Sequence, residues 1–161
     1  MHTARERPRL PPGTRVDGVW VWLIVVVPWV LASTIYLFDL RAVLDALWVD
    51  DVEAALGHVL LHLGVLLASS VATIGLALLF AWRDARNLRA AGVVHPFPWG
   101  FAAIAGIVYL IGRHVVLRKV TRPPIAPLAT SIALYVLWYS VFAVWAVATV
   151  TTGLAALGSL V

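Results

Sequence analysis

Four long apolar runs set the plan of this chain. Residues 18–38, 54–82, 90–112 and 123–161 contain no Asp, Glu, Lys or Arg. Each exceeds the ~20 residues that carry a helix across a ~30 Å hydrocarbon core. The pattern predicts membrane spans over about 19–38, 56–82, 99–117 and 128–150. Trp20 and Trp22 open the first span, where indoles favour the headgroup boundary. Pro28 interrupts it, and Ser33 and Thr34 are placed to satisfy backbone groups that the proline frees. The second span, at about 40 Å, is longer than the bilayer core and must tilt or project.

The polar residues between the spans are sorted by sign. Residues 39–53 hold Asp39, Asp45, Asp50, Asp51 and Glu53 against Arg41 alone. Within them, Leu40, Val43, Leu44, Leu47 and Trp48 recur at helical spacing, which predicts a short interfacial helix. The next connector carries Arg83, Arg86 and Arg89, and the third carries Arg113, Arg118, Lys119 and Arg122. Residues 1–17, with four arginines and three prolines, are predicted as a disordered basic tail. The apolar run that follows exceeds the ~7–15 residues of a signal-peptide core, so it is read as an uncleaved first span.

Composition sharpens the class. Hydrophobic residues make up 62% and charged residues 12%, against about 45–50% and about 25% in soluble domains. That excludes a soluble globular domain, a disordered chain and a collagen-like repeat. The 161 residues contain no cysteine, which excludes disulfides, thiolate metal sites and a Cys nucleophile. The net charge is +4, but the arginines flank apolar spans, so they point to anionic headgroups rather than nucleic acid. The fold expected is all-α: an integral-membrane four-helix bundle over 18–161, with both termini cytoplasmic. In that topology the third basic connector falls outside, against the positive-inside rule. A re-entrant third span would return it inside and put the C-terminus outside.

Chemistry-bearing residues are few. His58 and His62 stand one helical turn apart on one face, a spacing that suits two imidazoles on one metal. In the four-span topology His114 and the acids Asp50, Asp51 and Glu53 share their level, so His58, His62 and His114 are the candidate ligands for Zn²⁺ or another divalent cation, with those carboxylates beside them. A haem would need His62 and His114 as facing ligands. The competing reading is interfacial histidines with ordinary hydrogen bonds, and no cofactor is required. The spacing lacks the glutamate of the zinc-protease HExxH pattern. Arg83, Arg86 and Arg113 are candidate contacts for lipid phosphates or an anion, with snorkelling as the alternative for Arg113. Gly64, Ala68 and Ala72 form a small-residue stripe, and Ala102 and Gly106 a close-packing pair, both suited to a protein partner or a second copy. Tyr135, Trp138, Tyr139, Phe142 and Trp145 line one face of the last span, for packing or for a lipid groove. No serine-hydrolase elbow, phosphate loop or mid-span acid pair occurs, so no catalytic residue is assigned.

One stretch carries a resemblance. Asp84, Arg86, Leu88, Gly92, Pro96, Phe97 and Trp99 read D-x-R-x-L-x-x-x-G-x-x-x-P-F-x-W, and Tyr109, Gly112 and Arg113 close a V-Y-x-I-G-R run. The segment 83–127 resembles uncharacterised multi-span integral membrane proteins of actinobacteria. The resemblance implies a bacterial plasma membrane and no particular chemistry. The leading expectation is therefore a non-enzymatic, partner-binding or accessory membrane subunit. The alternatives are a lipid or small-solute binder or transporter, and a metal or haem enzyme built on the three histidines.

Overall fold

The computed structural model describes residues 9–11, 14 and 16–158. Its elements are α1 (Val19–Ala32), a 3₁₀ turn (Ser33–Leu37), α2 (Leu40–Trp48), α3 (Val52–Ala90), a second 3₁₀ turn (Trp99–Ala103), α4 (Gly106–Arg118) and α5 (Ala126–Gly158). The protein is thus all-helical, with no strand among the described residues. Three helical stretches are long and apolar enough to cross a membrane: Val19–Trp48, Val52–Ala90 and Ala126–Ala155.

The predicted third span is not among them. It breaks at Ala105, whose backbone is extended, and leaves α4 only 13 residues long. That is about 20 Å, well short of the ~30 Å core. The break falls within a run of small residues, Ala102, Ala103, Ala105 and Gly106, which bury little surface to hold a helix together. Beyond it, α4 buries Tyr109, Leu110, Arg113 and Leu117, one helical face turned into protein.

Local chemistry explains the other boundaries. Pro28 removes the N–H that would close on the Ile24 carbonyl, and Gly106 comes up against that residue. A Cβ on Gly106 would stand 3.3 Å from Ile24 Cγ2 and 3.6 Å from its carbonyl oxygen. Beyond the proline, Ser33 Oγ donates to Trp29 O at 2.8 Å and Thr34 Oγ1 to Leu31 O at 2.8 Å. The chain then tightens into the first 3₁₀ turn. Together α1 and this turn extend about 31 Å, close to the core thickness.

The acidic connector forms the expected short helix, and two of its acids are caps. Asp39 Oδ1 accepts from Ala42 N at 3.1 Å to start α2, and Asp51 Oδ1 accepts from Ala54 N at 2.9 Å to start α3. Between them Asp50 adopts φ 58°. Asp50 N donates to Leu47 O and Asp51 N to Ala46 O, the paired bonds that close a helix through a left-handed residue. At the far end of α3, Gly92 does the same at φ 96°. Gly92 N donates to Arg89 O and Val93 N to Leu88 O, while Leu88 and Val93 share one buried cluster. Asp51→Ala and Gly92→Ala should each cost about 1 kcal/mol, the first by removing the cap and the second by left-handed strain. Asp50→Gly should stabilise by a similar amount. Thermal unfolding in detergent measures all three.

The chain divides into two compact units: Met1–Pro28 with Thr73–Ala133, and Trp29–Ala72 with Leu134–Val161. They differ in two respects. Among the described residues, all the buried hydrophobic side chains except Val43 and Ala55 belong to the first unit. By sequence, the segments of the first hold eleven of the twelve basic residues and three of the eight acids, a net +8. Those of the second hold Arg41 against five acids, a net −4.

In the second unit, Trp29 meets Tyr135 edge-on at 4.4 Å, and Tyr36 meets Trp145 at 5.4 Å. Trp138 stacks on Phe142 at 5.4 Å. The aromatic stripe on the last span is thus used for packing against the end of α1 and the turn after it. Thr34 and Ser69 hydroxyls meet at 3.1 Å. Of the small-residue stripe on α3, Gly64 and Ala68 are exposed and Ala72 is half-buried. The stripe that is buried lies further along, in the first unit, at Ala77, Ala81 and Ala85.

Of the predicted N-terminal tail, residues 1–8, 12, 13 and 15 lie outside the described residues. The remainder is held in place. Leu10 N donates to Val120 O at 2.9 Å, and Val16 joins Leu88, Val93, Leu117 and Val120 in the buried cluster.

Candidate functional site

The first unit encloses the most polar chemistry in the described chain. Ala77, Ala81, Asp84, Ala85 and Leu88 form the buried face of α3. The small residues let a neighbour approach closely and leave Asp84 as the one long polar group on that face. On α4, Tyr109 and Arg113 are one turn apart on the buried face. The two helices therefore bring a carboxylate, a phenol and a guanidinium together.

Asp84 is 2% exposed and Arg113 4%. Arg113 Nε donates to Asp84 Oδ2 at 2.7 Å and Nη2 reaches Asp84 Oδ1 at 3.4 Å, a two-point grip. Tyr109 Oη donates to Asp84 Oδ2 at 2.8 Å, with Ala81 O 3.3 Å away. Arg113 Nη2 also donates to Val16 O, and Nη1 reaches Asp17 Oδ1 at 3.4 Å. Every nitrogen of the guanidinium and both oxygens of Asp84 are engaged. That saturation is what makes a buried charge pair tolerable, because an unpaired ion would lose its hydration with nothing in return. Asp17 is the outlying member, its side chain 21% exposed. Burial pushes its carboxyl above the ordinary 3.8, with the Arg113 charge opposing.

The cluster is closed by two tight contacts. A Cβ on Gly112 would lie 2.4 Å from the Phe97 ring, so only glycine admits the ring there. Phe97 in turn sits 6.2 Å from Tyr109 and 5.1 Å from Phe101, centroid to centroid.

The predicted site residues fare differently. Arg113 does not snorkel; it turns inward. Arg83 and Arg86 remain exposed on α3, both against indole rings. His58 and His62 line one pocket of about 240 Å³ with Leu37, Phe38, Asp39, Leu61 and Val65. The His62 ring packs 4.9 Å from Phe38. His114 belongs to the other unit, on α4. Among the described residues no three His, Cys, Asp or Glu side chains are grouped to hold a metal ion. Of the three histidines expected to converge, the fold brings His58 and His62 together in one pocket of the second unit, one helical turn apart on α3.

Sequence reasoning did not assign Asp17, Asp84 or Tyr109 to a site. The signal was present for two of them. Asp84 and Tyr109 fall within the resemblance motif, together with Arg113, Phe97, Gly112, Leu88 and Gly92. The motif positions thus form the ion-pair cluster, the glycine–phenylalanine contact and the cap of α3. Comparison with protein-family models, curated proteins and solved structures finds no match to this chain.

Proposed function

We propose that this chain is a non-enzymatic accessory subunit of a bacterial plasma membrane, crossing it three times and presenting a rigid basic headpiece to a partner. The observation that carries the reading is the saturation of the Asp84–Arg113 cluster. Its strongest acid and base are spent on each other and on the chain, so the cluster works as a clamp and leaves no free group for substrate. The clamp fixes the N-terminal segment, the end of α3 and α4 as one basic body.

Three crossings also remove the strain in topology. With α4 on the same side as the residues that precede α1, the basic segments all fall on the inner side, as the positive-inside rule requires. Of the connectors between spans, the acidic one faces outward. The C-terminus then lies outside, in place of the cytoplasmic position that four crossings would give. The native sequence has no cysteine, so Lys119→Cys and Asp45→Cys each introduce a sole thiol. A membrane-impermeant maleimide applied to intact cells should label Cys at 45 and spare Cys at 119 until the membrane is opened. Labelling at 119 in intact cells would overturn three crossings.

The subunit role is tested by native mass spectrometry of the protein released in mild detergent at its natural abundance. A stoichiometric protein partner is expected. A bare chain, or one carrying a small molecule that survives lipid exchange, would overturn it. The second outcome has a structural motive. In the second unit a cavity of about 610 Å³ is lined by Asp39, Arg41, Asp45, Thr149 and Thr152 beside Phe38, Leu40 and Leu44. Its mixed apolar and charged walls suit a small amphipathic solute or lipid, the alternative reading.

A further inference from the structure

The exposed arginines of α3 are arranged differently from those of a merely solvated helix end. The Arg83 guanidinium lies 5.1 Å from the Trp82 ring and 5.7 Å from the Trp20 ring of α1. The Arg86 guanidinium lies 5.8 Å from the same Trp82 ring. One indole therefore gathers two like charges, which ordinary repulsion would separate. Neither cation is paired with a described carboxylate. The adjacent acid, Asp84, is buried and held by Arg113, so it cannot neutralise them. The side of the patch toward the apolar run is hydrocarbon: Leu79, one turn before Arg83, is 44% exposed, and Trp82 is 36% exposed.

We infer that Trp20, Trp82, Arg83 and Arg86 form a headgroup site for an anionic phospholipid. The two guanidinium groups take the phosphate oxygens, and an acyl chain descends along Trp82 and Leu79. A guanidinium fork matches phosphate geometry, and an indole face orients the cation without removing its donors. The clamp contributes by withholding Asp84, so that phosphate meets no competing carboxylate. The site rests on α3 crossing the membrane, and it is independent of whether a protein partner exists.

The test is native mass spectrometry of the detergent-solubilised full chain titrated with phosphatidylglycerol, phosphatidylcholine or inorganic phosphate. Phosphatidylglycerol should bind in preference to phosphatidylcholine. Arg83→Gln/Arg86→Gln should weaken that binding about tenfold to thirtyfold, as expected from losing two interfacial cations. Arg83→Lys/Arg86→Lys should lose most of it too, since lysine keeps the charge without the fork. Arg118→Gln/Lys119→Gln, which removes the same charge elsewhere, should leave it within twofold. An unchanged melting temperature in each variant separates site loss from unfolding. Equal loss in the Arg118/Lys119 variant, or full binding in the double lysine variant, would mean diffuse attraction and overturn the site. Displacement of the lipid by millimolar inorganic phosphate would assign the arginines to a free anion and overturn the lipid as ligand.

Discussion

Replacing Arg113 with Met is expected to destabilise the first unit by about 3–5 kcal/mol. The loss does not come from the attraction of the pair itself, which is largely offset by desolvation of two ions. It comes from what is left behind. Asp84 would keep its burial and lose its cation, with only the Tyr109 hydroxyl still donating to it. The Val16 carbonyl and Asp17 would lose their donor at the same time. The control is Arg113→Met/Asp84→Leu, in which neither charge is stranded. That double variant should recover most of the lost stability, because a buried pair exchanged for apolar volume is often neutral or better. Arg113→Lys should fall between, since one ammonium cannot bridge Asp84, Val16 and Asp17 together. Urea unfolding in detergent, followed by tryptophan fluorescence, gives the order. A double variant as unstable as Arg113→Met would show that the cluster does more than balance charge.

Gly112→Ala is expected to cost about 1–2 kcal/mol, although alanine is the better helix former. The methyl group would enter the Phe97 ring, and overpacking of that kind costs about 1–3 kcal/mol. Against this, the exchange recovers up to about 1 kcal/mol of helix propensity. The sign should reverse when the ring is withdrawn. In a Phe97→Leu background the same substitution should be neutral or stabilising, because only the propensity term remains. Coupling of opposite sign to the separate effects isolates the contact between residues 97 and 112. Additive effects would place the cost of Gly112→Ala elsewhere on α4.

The contrast between what could and could not be read from the sequence is physical. Apolar runs of membrane length disclosed the helical class, and the period of Leu40, Val43, Leu44 and Leu47 disclosed α2, because both signals are local. The failure of residues 99–117 to form one helix did not show in their hydropathy. Their length and hydropathy suit a crossing, but the chain breaks at Ala105, and beyond the break Arg113 pairs with a carboxylate 29 residues earlier on another helix. A lone arginine near a span end looks the same whether it snorkels or turns inward. Likewise the acidic connector read as a charge block, whereas Asp39 and Asp51 are there to start helices. The histidine pairing was legible from the one-turn rule, but a third ligand depends on tertiary placement that spacing does not encode. Arg83 and Arg86 were legible as cations near a membrane. That one indole gathers both required the rotamers.

The Arg113 contacts also impose an order on synthesis. The acceptors Val16 and Asp17 leave the ribosome 96 or more residues ahead of the guanidinium they serve. Asp84 likewise precedes it by 29. While α3 is being inserted, its buried acid has no cation. The N-terminal segment has nowhere to dock until residues as late as Val120 have been made. The cluster therefore closes only after α1 and α3 have been made, and a nascent chain stalled before α4 leaves Asp84 without its cation.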